Sequence, residues 1–424
     1  MDILVIGGGG REHAIIKMLK ASPSVGRLYA APGNGGIASE AECTGIAATD
    51  MEGIKRFVKE TKVDFAAVIP DDPLALGMVD MLEEMGIPCF GPNRAAAIIE
   101  GSKAFSKRLM EKYGIPTAKC RIFDSYADAL GYVESQKPPM VIKADGLALG
   151  KGVIIAFTEA EAKAALKSMM LDGKFGASGN TVVIEEFLTG PEVSVLALTD
   201  GNDVFLLPSS MDHKRALDGD LGKNTGGMGA IAPNPYFTDE MKKRCMDEII
   251  LPTIAAMKAE ERTFRGCLYF GLMLTADGPK VIEYNCRFGD PETQAVLPLV
   301  EADLARVMRL ISLGKLAEAD IRVKNAYSCC VVLASGGYPD AYEKGKTISI
   351  GEMEEDTTVF HAGTKLTDGG YITSGGRVIG VTAVRESLAE AVKAAYRGAD
   401  RIHFEGMYRR SDIGKRALET RGES

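Results

Sequence analysis

Histidine is scarce in this sequence of 424 residues, which contains four. The eight cysteines are scattered, and none of them forms a CxxC pair. Because zinc sites are built from closely spaced Cys and His ligands, the sequence predicts no zinc cluster. Unpaired cysteines are typical of reduced thiols, so we expect a cytosolic (cytoplasmic) protein. The adjacent Cys329 and Cys330 lie in an apolar run and are expected to be buried in a strand.

The chain also lacks an excess of positive charge and lacks a long apolar run. It has 50 Lys and Arg against 58 Asp and Glu, a net charge of −8, whereas nucleic-acid binders usually present a basic face. No apolar run approaches the roughly 20 residues of a membrane span. The N-terminus enters an apolar run at once, without a basic segment or a cleavage site. We therefore expect a soluble globular protein of two to four domains, with no nucleic-acid or membrane partner.

Short apolar runs alternate with helical patterns at the start of the chain. Strands are predicted at residues 3–6, 28–31 and 65–69, and helices at residues 12–20, 52–61 and 74–85. This alternation predicts a doubly wound parallel sheet in an N-terminal domain of residues 1–101.

The rest of the chain reads as mixed α+β, so the expected fold class is α/β and α+β multidomain. A central domain is predicted at residues 102–315, with two strands in 181–207 and a long polar loop at 210–235. Such long loops are usually functional or disordered. A β-rich C-terminal α+β domain is predicted at residues 316–424, with one helix at 388–396.

A glycine-rich segment, KADGLALGKGV, lies between two apolar runs that predict strands. Glycines allow backbone N–H groups to approach a polyphosphate, and lysines add positive charge. A Walker A loop is excluded because the glycine spacing is one residue short and no Ser or Thr follows the second lysine. The segment therefore predicts a flap over a phosphate, and a glycine-rich hairpin with two surface lysines is the alternative. Its glycines and lysines are Lys143, Gly146, Gly150, Lys151 and Gly152.

The segment VIEYNCRFGDPETQ ends an apolar strand with two oxygen-bearing side chains. Glu283 and Asn285 fall on one face, because strand side chains alternate. A carboxylate and an amide oxygen suit Mg²⁺, which also takes phosphate oxygens. Arg287 then offers a planar fork for a carboxylate or phosphate, and Asp290 and Glu292 add acceptors. The alternative is a surface strand edge with a salt-bridged loop.

Two weaker patterns complete the set. In EEFLTGPEVS a strand end can offer an N–H and a C=O to an adenine edge, and Glu192 could accept from ribose hydroxyls. The turn IGGGGREH lacks the dinucleotide fingerprint, because the third glycine position falls on Glu12 or His13. It still fits a single phosphate, and the loop APGNGG lies at the same sheet edge, so both would line one crevice. His13 itself is expected to be a core or capping residue.

Taken together, the motifs resemble the phosphoribosylamine–glycine ligase (glycinamide ribonucleotide synthetase) family of the ATP-grasp superfamily. They occur in the family order and span nearly the whole chain. The combination of DHKR, DGD and NTGGMG with NCRFGDPETQ is specific to this ligase within the superfamily. The motifs are GGGGREHA, APGN, GSKAFSK, KADGLALGKGV, EEFLTGPEVS, DHKRALDGD, NTGGMGA, KVIEYNCRFGDPETQ, SGGRVIGVTAV and RRSDIG.

The resemblance implies a doubly wound N-terminal domain, a central ATP-grasp domain of two α+β lobes and a C-terminal α+β domain. It implies an ATP-dependent ligase of purine biosynthesis that uses Mg²⁺ or Mn²⁺. Such a ligase joins glycine to 5-phosphoribosylamine through glycyl phosphate, giving glycinamide ribonucleotide, ADP and phosphate. Its partners would be these small molecules, and a monofunctional monomer is expected.

The resemblance also implies residue roles. ATP would be bound by Lys103, Lys143, Gly146, Gly150, Lys151, Gly152, Glu185, Phe187, Leu188 and Glu192, with Glu185, Phe187 and Leu188 facing adenine. The substrates would be bound by Gly9, Gly10, Arg11, Glu12, Asn34, Asp71, Asp212, Lys214, Asn224, Arg287 and Asp290. The catalytic residues would be Lys143, Asp212 and Arg287, and the metal ligands Glu283 and Asn285.

Three features depart from the family pattern. The first domain has IPDDPL where the family often has GPExPL, so Asp71 is one methylene shorter than the usual glutamate. Met211 replaces a polar residue before DHKR. The strand FGLML has no acidic residue where many ATP-grasp relatives place a second metal ligand, so phosphates and water would complete the coordination.

Three alternatives to this interpretation remain. A second ATP-grasp carboxylate–amine ligase, carboxylase or formyl-transferring enzyme is disfavoured by DHKR and NCRFGDPETQ. A nicotinamide oxidoreductase is disfavoured by the failed fingerprint in the first turn. A non-catalytic nucleotide-binding regulator is disfavoured by the intact Lys143, Glu283 and Asn285.

The shortened side chain at position 71 generates a prediction. If the Asp71 carboxylate binds ribose hydroxyls, Asp71→Ala should raise KM for phosphoribosylamine and leave KM for ATP nearly unchanged. Steady-state kinetics with each substrate varied in turn measures this. Equal effects on both substrates, together with a lower melting temperature, would instead mark Asp71 as a structural turn residue.

Overall fold

The computed structural model describes residues 1–147 and 152–422. In these residues, four sheets have at least four strands each. One is built from the N-terminal region, two from the central region, and one mainly from the C-terminal region.

The N-terminal region is a parallel five-stranded sheet in the order β3-β2-β1-β4-β5. Its strands are β1 Ile3–Gly7, β2 Leu28–Pro32, β3 Glu42–Cys43, β4 Phe65–Val68 and β5 Cys89–Phe90. Its helices are α1 Gly10–Lys20, α2 Met51–Glu60, α3 Asp71–Leu76, α4 Met78–Glu84 and α5 Arg94–Gly101. Every residue of β1 and β4 is buried, as expected for parallel strands covered on both faces. The predicted doubly wound sheet is confirmed.

One predicted helix of this region is wrong. The pattern at residues 74–85 predicted a single helix, whereas the structure has α3 and α4 separated at Gly77. Gly77 has φ of +88°, a left-handed conformation that ends a helix readily at glycine. The first of the two helices, α3, begins three residues earlier than predicted, at Asp71, shortly after the end of β4.

The central region forms two lobes. The first lobe has the sheet β6-β9-β7-β8, and the second has the antiparallel sheet β11-β10-β16-β17. The strands are β6 Cys120–Phe123, β7 Met140–Ala144, β8 Val153–Ala156, β9 Val182–Glu186, β10 Glu192–Thr199, β11 Val204–Leu206, β16 Gly266–Thr275 and β17 Gly278–Asn285. The helices are α6 Lys103–Tyr113, α7 Tyr126–Ser135, α8 Glu159–Met170, α9 Asp239–Cys245, α10 Leu251–Ala259 and α11 Glu292–Val296, with a π-helical turn at Met246–Ile250. Residues 181–207 hold three strands, not the two predicted.

The segment 210–235, predicted as a long loop, includes four short strands. It contains β12 Met211–Asp212, β13 Arg215–Leu217, β14 Leu221–Asn224 and β15 Gly229–Ala232. The buried β15 pairs with a strand about one hundred residues later in the chain, residues 328–331. The expectation of an irregular loop failed because the pairing partner is distant, so no local pattern marks it.

The C-terminal region completes a six-stranded sheet in the order β12-β15-β20-β25-β22, with β27 also paired to β20. The strands of the C-terminal region, both inside and outside that sheet, are β18 Val300–Glu301, β19 Arg322–Val323, β20 Tyr327–Ser335, β21 Ser349–Ile350, β22 Thr357–His361, β23 Thr364–Thr367, β24 Gly370–Thr373, β25 Arg377–Arg385, β26 Ile402–His403 and β27 Met407–Tyr408. Its helices are α12 Leu304–Ser312, α13 Leu388–Ala399 and α14 Lys415–Arg421. Cys329 and Cys330 are buried in β20, as predicted.

Across residues 1–147 and 152–422, no helix has both the length and the apolar character needed to cross a bilayer.

The N-terminal and C-terminal regions meet along α1 and β22. His13 of α1 is buried, and its Nδ1 accepts the N–H of His361 at 2.8 Å. The Asn34 amide donates to the carbonyl oxygens of Gly8 at 2.9 Å and His361 at 2.8 Å. The core interpretation of His13 is therefore confirmed, and the two loops of the N-terminal sheet are fixed against the C-terminal sheet.

This contact predicts an acid-sensitive interface. Burial lowers the pKa of His13 to about 3 and that of His361 to about 4. An unfolded histidine titrates near pH 6.5, so below that pH the unfolded chain binds more protons than the folded one. Stability from these groups is complete above pH 6.5 and falls as the pH drops toward 4. We expect a loss of roughly 2 kcal/mol per histidine between pH 7.5 and 5.

Urea unfolding at the two pH values measures this loss. His13→Asn, which keeps an acceptor near Nδ1, should show a smaller pH dependence than the wild type. His403→Asn, at an exposed position, should behave as the wild type. An unaltered pH dependence in His13→Asn would contradict the prediction.

Candidate active site

The candidate site is centred on the end of β17, where Glu283 and Asn285 are brought beside residues from other parts of the chain. Lys214 Nζ lies 3.1 Å from Glu192 Oε2 and 3.8 Å from Glu283 Oε1. Burial raises the pKa of Glu283, but the nearby Lys214, Lys143 and Lys103 ammonium groups lower it by more. Glu283 is therefore a carboxylate at neutral pH, set among positive charges.

Arg287 lies immediately after β17 and links Asn285 to the N-terminal region. Its NH2 donates to Asn285 Oδ1 at 3.2 Å and lies 3.3 Å from Glu100 Oε1. Burial lowers the pKa of Arg287, but the Glu100 and Asp71 carboxylates raise it by more. The buried Arg287 Nε has no hydrogen-bond partner among residues 1–147 and 152–422. The guanidinium is thus a fixed cation whose Nε–H is accepted by none of the described residues. The Asp71 carboxylate is close enough to raise its pKa.

The predicted phosphate-binding lysines lie on α6 and β7. Lys103 Nζ donates to the Gly146 carbonyl oxygen at 2.8 Å. Lys143 Nζ lies 2.9 Å from Glu185 Oε1 and donates to the Ile282 carbonyl oxygen at 2.9 Å. The structure therefore brings both lysines toward the strand that carries Glu283.

Asp145 connects the first turn of α6 to the end of β7. Its carboxylate accepts from Ser102 Oγ and from the Ala104 N–H, both at 3.0 Å. This contact fixes Lys103 relative to Lys143, and the sequence analysis did not identify it.

The residues predicted to face adenine lie at the end of β9. Glu185 is buried in the strand, and Phe187 and Leu188 follow it, both half-buried. The Phe187 ring meets the Phe157 ring edge-on at 5.9 Å. Phe157, which ends the hairpin after β8, was not assigned a role from the sequence. Its position after a predicted strand is the only local signal it carries.

A buried group of acids and hydroxyls lies beside Lys214. Asp212 Oδ1 is buried without a hydrogen-bond partner in the described part of the chain. Burial raises the pKa of Asp212 well above its ordinary value, and the neighbouring Glu292 carboxylate raises it further. Glu292 Oε1 accepts from the Tyr269 hydroxyl at 3.1 Å, and that hydroxyl lies 2.7 Å from Ser194 Oγ. Two crowded carboxyl groups of this kind can hold an ammonium group.

Tyr269 and Ser194 were missed from the sequence, and Glu292 was noted there only as an extra acceptor. Both missed residues lie inside strands β16 and β10 with otherwise apolar neighbours. A polar residue within an apolar strand was the only available signal.

The first turn of the chain reaches the same region. Arg11 Nε lies 2.7 Å from Glu12 Oε1, and Glu12 Oε2 accepts the Gly9 N–H at 2.6 Å. The Arg11 N–H donates to Asp290 Oδ2 at 3.3 Å. A Cβ added at Gly10 would lie 2.4 Å from Gln294 Nε2 and would displace that side chain. The predicted residues of the first turn and Asp290 therefore do come together.

Two further predicted substrate residues are Asn34 and Asn224. The Asn34 amide oxygen accepts the N–H groups of Gly36 and Ile37, both at 2.9 Å, and its NH2 holds the loop contacts described above. Asn34 therefore shapes the crevice mainly by fixing loops. Asn224 ends β14 with an exposed side chain, and its neighbour across the ladder is Arg215.

Arg377, the first residue of β25, was missed as a site residue. Its NH1 donates to the carbonyl oxygens of Gly226 and Asp290, both at 2.7 Å, and lies 3.2 Å from Asp290 Oδ1. The sequence showed SGGRV as a motif, but the residues that Arg377 contacts are about 90 and 150 positions away.

Gly150 and Lys151 of the predicted flap lie outside the described residues, and Gly152 is described at the start of the β8 hairpin.

Comparison with protein families matches nearly the whole chain. The phosphoribosylglycinamide synthetase N domain matches residues 1–100, its ATP-grasp (A) domain residues 101–293 and its C domain residues 328–416. A phosphoribosylamine–glycine ligase of Halalkalibacterium halodurans is 47% identical over 425 residues, covering 100% of this chain and 99% of that protein. One of Vibrio vulnificus is 47% identical, covering 99% of each.

Solved structures agree in fold. The crystal structure of a phosphoribosylamine–glycine ligase from Thermotoga maritima has a TM-score of 0.84 and 33% identity, covering 97% of this chain and 100% of that one. A biotin carboxylase from Campylobacter jejuni, in a complex with β,γ-ATP according to its description, has a TM-score of 0.76 at 14% identity, covering 96% of this chain and 92% of that one. The second likeness concerns the fold alone.

Proposed function

Because this chain belongs to the phosphoribosylglycinamide synthetase family, we propose that it joins glycine to 5-phosphoribosylamine with ATP. The products are glycinamide ribonucleotide, ADP and phosphate, in purine biosynthesis. The observation that carries the proposal is the meeting, at the end of β17, of cations, an oxygen pair and a buried pair of carboxyl groups. The resemblance inferred from the motifs is confirmed by relatives that match over their full length.

ATP is proposed to lie between the two central lobes. Lys103 and Lys143 would neutralise its phosphates, with Gly146, Gly150, Lys151 and Gly152 closing over them. The strand end at Glu185, Phe187 and Leu188 would hold adenine, and Glu192 the ribose. The proximity of Lys103 and Lys143 to Glu283, whose pKa both lysines lower, supports this.

Glycine is proposed to bind as a zwitterion beside Arg287 and Lys214. The unpaired Arg287 Nε suits its carboxylate, and the Asp212 and Glu292 pair suits its ammonium group. A bound ammonium would favour the ionised form of carboxyl groups whose pKa is raised when the site is empty. The carboxylate and the ammonium group of glycine would thus be bound in one pocket.

Phosphoribosylamine is proposed to bind against the N-terminal sheet edge. Gly9, Gly10, Arg11 and Glu12 would form one wall, with Asn34 fixing the loop behind it. Asp71 and Asp290 would face the ribose and the amine. The contact of Arg11 with Asp290 supports this, because it brings the first turn to the glycine side of the site.

The residues fit a hard divalent cation, which family members use with ATP. Glu283 and Asn285 offer a carboxylate and an amide oxygen on one strand face, the ligand chemistry of Mg²⁺ or Mn²⁺. The cation would supply charge neutralisation for ATP phosphate oxygens. We propose Mg²⁺ or Mn²⁺, held by these two residues.

The chain acts by positioning and electrostatics. The glycine carboxylate attacks the γ-phosphoryl group, the bond to the β,γ-bridging oxygen breaks and ADP leaves, while Arg287, Lys103 and Lys143 compensate the developing negative charge. The amine of phosphoribosylamine then attacks the carbonyl carbon of glycyl phosphate and releases phosphate. Holding the amine beside the acyl phosphate favours the amide over hydrolysis.

A cytoplasmic location, a monomeric state and domain bounds at 101/102 and 315/316 stay predictions.

ADP release tests the proposed function. With the wild-type chain and ATP, release should require glycine and phosphoribosylamine together and remain at background with either alone. Mass spectrometry should detect glycinamide ribonucleotide in the same mixture. Turnover with bicarbonate or formate in place of glycine would overturn the assignment.

The metal pair gives a separate prediction. Glu283→Gln keeps the shape of the side chain and removes its charge, so turnover should fall about 10²–10³-fold, a loss of roughly 2.7–4 kcal/mol of transition-state stabilisation. Titration of Mn²⁺ binding by electron paramagnetic resonance in the presence of ATP should show weaker binding. Glu260→Gln, in an exposed ion pair with Lys112, is the matched control and should change neither. A normal metal requirement with near-normal kcat in Glu283→Gln would place the metal elsewhere.

A further inference from the structure

A buried ion triad lies behind the proposed phosphate site. Glu185 Oε1 is 2.9 Å from Lys143 Nζ, and Glu185 Oε2 is 3.2 Å from Lys107 Nζ. The three side chains are 5% exposed or less. One carboxylate is therefore shared by two ammonium groups, and the triad carries a net charge of +1.

Lys107, on α6, has every donor used by the protein. Besides Glu185, its Nζ donates to Thr117 Oγ1 at 2.7 Å and to the Ala118 carbonyl oxygen at 3.4 Å. Thr117 Oγ1 donates its own proton to the Val281 carbonyl oxygen at 2.7 Å, so it acts as an acceptor toward Lys107. An ammonium group has three N–H donors, and three acceptors surround this one. Burial lowers the pKa of Lys107, and the Glu185 carboxylate opposes that effect.

Lys143 differs from Lys107 by one partner. In residues 1–147 and 152–422 its Nζ donates to the Ile282 carbonyl oxygen and makes an ion pair with Glu185 Oε1, an oxygen that accepts no hydrogen bond there. At most two of its three N–H donors are therefore directed at protein acceptors. Lys143 is also near enough to Lys103 to lower the pKa of that residue, behind the larger effect of burial. The N–H donor without a protein acceptor therefore belongs to Lys143, the lysine of the triad that lies nearer to the proposed phosphate site.

We propose that Lys107 is a positioning residue that never touches ATP and keeps Lys143 available to its phosphates. By holding one oxygen of Glu185, Lys107 prevents that carboxylate from neutralising Lys143. Without Lys107, Lys143 and Glu185 would form a neutral pair, and the attraction of the site for a polyphosphate would drop. The inference rests on the proposed function only in that ATP binds beside Lys143.

Charge arithmetic defines the variants. The triad is +1 in the wild type, 0 in Lys107→Met, +2 in Glu185→Gln and +1 again in the double variant. Removing one unit of charge a few ångströms behind a polyphosphate should weaken ATP binding about tenfold in Lys107→Met. Adenosine, which lacks phosphates, should bind with unchanged affinity. Isothermal titration calorimetry without glycine or phosphoribosylamine measures both ligands.

Lys112→Met is the matched control, because Lys112 lies on the same helix in an exposed ion pair with Glu260. It should leave the affinities for ATP and adenosine unchanged. Thermal unfolding of each variant checks that the fold is retained.

The double variant Lys107→Met/Glu185→Gln separates charge from packing. It restores the net charge of +1. Because Glu185 also lies at the proposed adenine site, the readout is the ratio of ATP affinity to adenosine affinity, which we expect to return to within about threefold of the wild-type ratio. Continued loss in the double variant would overturn the proposal and make Lys107 a packing residue. If Lys107→Met does not fold, Lys107→Gln, which keeps a polar side chain beside Glu185 and Thr117 without the charge, replaces it and should show the same tenfold loss for ATP. An unchanged ATP affinity in that variant would refute the charge argument.

Failure of the proposed function is distinguishable from failure of this inference. A wild-type chain that binds ATP but does not ligate glycine would contradict the function and leave the Lys107 comparison intact. A wild-type chain that ligates glycine, with equal ATP affinity in Lys107→Met, would contradict the inference alone.

Discussion

The site depends on one constraint, which is that the Glu283 carboxylate at the end of β17 must stay ionised among several cations in a half-buried place. Burial alone would favour its neutral form, and Lys214, Lys143 and Lys103 outweigh that effect. The cations need the same compensation in return. Glu185 and Glu192 supply it for Lys143 and Lys214, and Glu100 for Arg287. The site is therefore a network of opposite charges, and removing one of them would shift the pKa values of the others.

This network of charges is assembled from elements that lie far apart in the chain. Arg11 of the first turn contacts Asp290 after β17, and Arg377 of the C-terminal sheet contacts that same residue. Strands β12 and β15 leave the central region and join the C-terminal sheet, which carries Asp212 and Lys214 into position. Residues 210–235, which include both strands, were expected to be a loop because their sequence is polar. The pairing of β15 with β20 supplies hydrogen bonds that a local pattern does not indicate.

Much of the candidate site was predictable because the residues sit in short local motifs. Lys143 before a glycine-rich segment, and Glu283 with Asn285 at a strand end, each combine a chemical type with a backbone position. Ser194 and Tyr269 were not predictable, because each is a polar residue among apolar neighbours in a strand. Lys107 lies in the motif GSKAFSK, but as one of several charged residues of α6 it received no role of its own. Their roles come from the partners that packing gives them, Tyr269 through Glu292 and Lys107 through Glu185.

The sequence by itself determined the parallel N-terminal sheet and the strand face that presents Glu283 and Asn285. Both follow from the period of apolar residues, which is a local property of the chain. The motif order by itself also determined the family. Only the tertiary structure decided which charges neighbour one another, the pairing of β15 with β20, and the division of Glu185 between two lysines. Those outcomes depend on distances between residues remote in sequence, and burial then sets how strongly each charge acts.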